Sequence, residues 1–144
     1  MGSARLRLVK SVGWLAGFVL LAGCGSGKKL QTYDVTGTVM FPNGKPVAGG
    51  IVTFRSYDQK VSASGIIEED GTCRMGTFQP GDGAVAGRHG VAIAAPAIQR
   101  DDSDPPGGLE VRIARKFSSP GTSGLEFTVT PGQSNAFTFQ VTPP

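Results

Sequence analysis

The sequence predicts an all-β domain, an antiparallel β-sandwich of about seven strands, and three observations carry that prediction. From Thr32 onward the apolar residues repeat with a period of two, no stretch carries a helical stripe, and turn residues recur at fairly even spacing. The 22 glycines and 10 prolines supply those turns, while an apolar fraction of 39% is too high for a disordered chain. At 144 residues the chain has room for one core of ordinary size.

Residues 1–23 stand apart from this pattern. A basic start (Arg5, Arg7, Lys10) precedes an apolar run from Val12 to Leu21, broken by Gly13 and Gly17, and small residues follow. That is the layout of a secretory signal. The run is about half of the ~20 residues that a helix needs to cross the hydrocarbon core, so a permanent transmembrane helix is not expected here. A Met1-Gly2 start suggests myristoylation, but position 6 is Leu6 where that motif needs Ser or Thr.

Leu21-Ala22-Gly23-Cys24 resembles the lipobox of bacterial lipoproteins at all four positions. The resemblance implies a diacylglycerol on the Cys24 thiol, cleavage just ahead of it with Leu21, Ala22 and Gly23 as the recognition residues, and usually an acylated amino terminus. Two or three acyl chains, at about 0.8 kcal/mol per buried CH₂, would hold the chain far more firmly than one myristoyl group. Three parts follow: a signal at 1–23, the lipidated cysteine with a small, polar, flexible tether at 24–31, and the β-domain at 32–144. In many Gram-negative lipoproteins an aspartate after the cysteine marks inner-membrane retention. Gly25 stands there instead, so the expected location is the cell envelope, lipid-anchored and extracytoplasmic, in the outer membrane where one exists.

Within 32–144, Tyr33, Val35, Val39 and Phe41 alternate with Asp34, Thr36, Thr38 and Met40, and the run stops at Pro42-Asn43-Gly44, which suits a tight turn. Strands are next expected at Gly50-Ile51-Val52-Thr53-Phe54, at 61–68 and at 72–78, the last two joined through an Asp70-Gly71 hairpin. Another falls at Val91-Ala92-Ile93. Residues 99–108, with Asp101, Asp102, Asp104 and two prolines, read as a long exposed loop. Leu125, Phe127 and Val129, then a Pro131-Gly132 turn, then Phe137, Phe139 and Val141 read as a hairpin with one buried face. The inward positions of these runs suffice for a core without metal or disulfide.

Val35-Thr36-Gly37-Thr38-Val39, followed by the segment from Asn43-Gly44-Lys45-Pro46 to Gly49-Gly50-Ile51-Val52-Thr53-Phe54, is similar to the opening of carboxypeptidase regulatory-like domains, which have a transthyretin-like β-sandwich. The likeness continues at Ala63-Ser64-Gly65, at Glu69-Asp70-Gly71 and from Gly83 to His89. Thr122-Ser123-Gly124-Leu125 resembles an element of many small bacterial lipoproteins. The resemblance implies fold and an extracytoplasmic accessory role, and carries no catalytic residue.

Several chemistries fit the chain poorly. Arg5, Arg7 and Lys10 account for the formal net charge of +3, so the processed chain is near neutral and lacks the basic stripe that a nucleic-acid partner requires. One histidine, His89, and one cysteine outside the lipobox, Cys73, do not make a zinc site, and the Asp101–Asp104 cluster lacks the glycine and distal glutamate of a calcium loop. No cofactor and no metal are expected. Cys73 alternates in step with Met75 and reads as a buried thiol, and lipidation of Cys24 would leave it no partner for a disulfide. The transthyretin-like fold includes hydroxyisourate hydrolases, whose C-terminal Tyr-Arg-Gly-Ser signature is here Gln140-Val141-Thr142-Pro143-Pro144. A small hydrolase using His89 and loop carboxylates is therefore the disfavoured alternative to a non-enzymatic, membrane-anchored module that binds an envelope protein or carbohydrate or has a structural role in the envelope. Its recognition loops would be 99–108 and 76–83.

Overall fold

The computed structural model describes residues 29–96 and 113–144. The signal segment, Cys24 and the 99–108 loop lie outside the described residues. Nine strands follow in chain order: β1 (Thr32–Tyr33), β2 (Val35–Met40), β3 (Ile51–Ser56), β4 (Ser62–Ile66), β5 (Thr72–Arg74), β6 (Ala84–Val85), β7 (Gly87–Ala94), β8 (Leu125–Val129) and β9 (Asn135–Gln140). A 3₁₀ turn (Arg115–Ser118) and a one-turn helix α1 (Pro120–Ser123) precede β8.

The strands form a three-stranded sheet β5-β2-β9, a four-stranded sheet β4-β3-β7-β8 and a small pair β1-β6. Alternation dictates what lies between the two larger sheets. Val35 and Val39 of β2, with Phe137 and Phe139 of β9, face Val52 and Phe54 of β3 and Val91 and Ile93 of β7 in one core. Phe54 is its centre, with ring centroids 5.4 Å from Phe127 and 5.3 Å from Phe137. Each such pairing adds a fraction of a kcal/mol, up to about 1.5, beyond the area it buries. The all-β sandwich expected from the sequence is thus present.

The turns expected from the sequence are local and hold. At Pro42-Asn43-Gly44 the Phe41 amide donates to the Lys45 carbonyl at 2.8 Å, Gly44 takes a φ of 79°, and the Lys45 amide is held by the Asn43 side chain at 3.0 Å. At Asp70-Gly71 the bridges Ile67 to Cys73 and Ser64 to Gly76 keep one antiparallel register, so the hairpin forms. Its two arms then diverge into different sheets, β4 into the four-stranded one and β5 into the three-stranded one.

Two expectations need correction. Leu125–Val129 and Asn135–Gln140 do not pair as a hairpin: β8 pairs antiparallel with β7, whereas β9 pairs with β2, and the Pro131-Gly132 turn carries the chain across the sandwich. The β2–β9 pairing is also parallel, so the sandwich is not wholly antiparallel. The crossing is fixed by Asn135, a buried side chain that accepts from the Thr130 amide at 2.8 Å and donates to the carbonyls of Gln133 and Thr130 at 3.1 and 3.2 Å.

Thr122-Ser123-Gly124-Leu125 has a structural task. Pro120 opens α1, Gly124 closes it in the left-handed region at φ 69°, and the buried Ser123 hydroxyl donates to the Val91 carbonyl while accepting from the Leu125 amide. One hydroxyl thereby fastens the helix turn to β7 and aligns the start of β8.

Candidate functional site

Among the described residues, a surface groove lies beside β4 and the 76–83 loop. Reciprocal 2.8 Å hydrogen bonds between Ser64 and Gly76 dock the loop along the outer strand of the four-stranded sheet. Its shape is then set by one carboxylate. Asp82 accepts from the amides of Thr77 at 2.6 Å and of Phe78 and Gln79 at 3.1 Å, and the Thr77 hydroxyl donates to the Gly83 carbonyl at 2.8 Å. Desolvation pushes the Asp82 carboxyl upward, but the three amides together outweigh it and hold the group below the usual carboxylate range.

Loop and strand enclose a shallow groove of about 480 Å³ lined by Ile51, Ile66, Phe78 and Pro80, with Glu68 and Arg74 among its polar members. Ile51 and Ile66 are direct cross-strand partners in the β3–β4 register. The Arg74 guanidinium is already engaged by Asp34 at 2.9 Å. Of the two loops that the sequence offers for recognition, 76–83 is the one within the described residues. Ile51 and Ile66 were missed in the sequence, although the signal was there: Val52 and Phe54 face inward, so Ile51 must face out, and of the adjacent Ile66 and Ile67 one must do the same.

A second polar cluster occupies the face of β7 and β8. Arg88 pairs with Glu126 at 2.9 Å and lies 5.3 Å from the centre of the Tyr57 ring, and the Tyr57 hydroxyl donates to the same carboxylate at 3.3 Å. The Arg88 hydrogen bond, chiefly, holds Glu126 below its ordinary range. All three side chains are exposed, so water screens the pairing.

His89 is 1% exposed. Its Nδ1 is 3.0 Å from the Gly87 carbonyl and its ring packs 5.8 Å from Phe54, so the imidazole is a core element. Cys73 is likewise buried, and burial pushes its thiol up to about 12. Among the described residues no group of three His, Cys, Asp or Glu side chains is placed to hold a metal ion, and no helix is long and apolar enough to cross a membrane. Compared with protein-family models, curated proteins and solved structures, the chain gives no match.

Proposed function

We propose that the chain is a lipid-anchored lipoprotein of the cell envelope whose extracytoplasmic β-sandwich serves as a non-enzymatic binding or structural module. The observation that carries this reading is Leu21-Ala22-Gly23-Cys24, placed directly after a basic start and a short apolar run. The membrane is engaged through lipid on Cys24, and the partner is an envelope protein or carbohydrate.

The sandwich suits such a role. Side-chain ties such as Ser123 and Asn135 fix its turns, and its loops stand on a packed core, an arrangement on which recognition residues are commonly carried. The resemblance to carboxypeptidase regulatory-like domains supports the same class of role. A hydrolase built on His89 would have to expose an imidazole that is now packed against Phe54 and tied to Gly87.

Intact mass and membrane fractionation of the full-length protein, expressed in a bacterium beside Cys24→Ser, test the reading. A membrane-bound wild type, heavier than the chain from Cys24 by a diacylglycerol and an acyl group, with a variant lacking that mass, is the expected result. A soluble, unlipidated wild type cut elsewhere would overturn it.

A further inference from the structure

Four large apolar side chains are exposed among the described residues: Ile51, Tyr57, Ile66 and Phe78, at 49, 50, 68 and 57%. Tyr57 is engaged with Arg88 and Glu126. The other three share the β4 side of the sandwich, where Ile51 and Ile66 are cross-strand partners and the Ser64–Gly76 bridge brings Phe78 alongside. Exposed apolar groups gathered on one face mark a contact surface rather than scattered chance.

The position of this face relative to the proposed anchor decides what it meets. The 76–83 loop ends at Gly83, which packs so closely on the Tyr33 carbonyl of β1 that a β-carbon would not fit, and whose amide donates to Met75 at 2.9 Å. Phe78 is tied through Asp82 to that same corner. Cys24 lies five residues before Lys29, the first described residue, so the two are at most about 18 Å apart. A six-residue strand such as β2 spans about 20 Å. The first described strand, β1, packs against the end of the 76–83 loop, and the Asn43-Gly44 turn stands at the other end of β2.

We propose that the apolar face of Phe78, Ile66 and Ile51 rests on the lipid surface to which the chain is tethered, fixing the orientation of the domain; this depends on lipidation of Cys24. Exposed apolar side chains such as Phe bury at the headgroup–acyl boundary of a membrane surface. A contact too weak to recruit a free domain is populated when a short tether makes it intramolecular. Asp82 holds the loop in one shape before contact, so little order has to be imposed on binding. Arg74 is held by Asp34, and Glu68 is the other charged side chain lining the groove. The opposite sheet, with exposed Ala136 and Thr138 on β9, is left facing away for a partner.

Trp14, the single tryptophan, lies ahead of the proposed cleavage site, so the processed chain has none and an introduced tryptophan reports alone. Phe78→Trp and Thr138→Trp, expressed from the full-length sequence and purified as the lipidated, processed protein, are reconstituted in phosphatidylcholine vesicles, with and without bromine on the acyl chains, and floated. In the expected result the emission of Phe78→Trp is blue-shifted and quenched by brominated lipid, that of Thr138→Trp is neither, and adding Ile66→Glu abolishes the quenching at position 78. Equal quenching at both positions, or none at 78 in protein that floats, overturns the orientation and leaves the anchor standing. A blue shift at 78 without bromine quenching assigns the face to a protein contact and also overturns it. Protein that carries no lipid and does not float defeats the anchor and the orientation with it.

Discussion

The ring of Phe137 lies over Gly37, its direct partner in the parallel β2–β9 pair, and occupies the space that a β-carbon at position 37 would take. Gly37 sits in inward register between Val35 and Val39, both fully buried, so its missing side chain is what lets an aromatic ring enter the core there. Gly37→Ala is therefore expected to lower stability by about 1–3 kcal/mol, the ordinary cost of overpacking. Urea unfolding measures it. Phe137→Leu in the same chain should recover part of the loss, and strictly additive effects of the two substitutions would refute the steric origin.

Asn135 makes a second strong prediction, because one amide serves the backbone on both sides of the crossing turn. Removing it by Asn135→Ala orphans the Thr130 amide and takes a donor from the Thr130 and Gln133 carbonyls. The expected cost is about 1–3 kcal/mol, read as a lower urea midpoint with an unchanged slope. A midpoint equal to wild type would mean that the parallel β2–β9 pairing alone holds the crossing.

These two residues also show what was legible in the sequence. Alternation gave the strands and their inward faces, because a half-buried strand has to repeat with period two. Sheet membership was not legible. A Pro-Gly turn between two alternating runs reads the same whether the second run folds back on the first or crosses to the other sheet, and the decision rests on Asn135, which donates to the Asp34 carbonyl at 3.4 Å, and on the pairing of β9 with β2, both partners distant from β9 in sequence. At the candidate surface, the 76–83 loop stood out by its glycines and its irregular pattern. The role of Asp82 did not, since a carboxylate collecting amides three to five residues earlier has no hydrophobic period to reveal it. The resemblance of Leu21-Ala22-Gly23-Cys24 to a lipobox needed no fold to be read, because it is a contiguous four-residue pattern.

His89 gives a pH dependence of known sign. Burial, first, holds its folded-state pKa below the ordinary 6.5, against weaker upward pulls from the Gly87 carbonyl and the Asp58 charge. As pH falls through 6.5 the unfolded chain takes up a proton before the folded one does, so this contribution is complete above about pH 6.5 and is lost below it, down to the folded pKa. Asp82 and Glu126, whose folded pKa values are lowered, keep their contributions until pH falls through the carboxylate range. Urea midpoints taken from about pH 7.5 to about pH 5 should therefore decline in wild type and stay flatter in His89→Gln. The same slope in both proteins would assign the decline to other groups.

Cys73 makes the last prediction, on reactivity. The thiolate is the reacting species, and a buried thiol pushed up to about 12 holds almost none of it at neutral pH. The side chain is 4% exposed and sits in β5 opposite Gly37, so a reagent must wait for the sheet to open. In the folded protein, labelling by a thiol-reactive disulfide should be slow and should accelerate with urea well below the unfolding midpoint, in proportion to the opened population. Cys73→Ala, which leaves no unsatisfied polar group, should destabilise less than Cys73→Ser, whose buried hydroxyl costs about 1–3 kcal/mol if it finds no partner. Rapid labelling that is indifferent to urea would show that β5 opens independently of the sandwich, and the β5–β2 edge rather than the whole domain would then set the access of Cys73 to solvent.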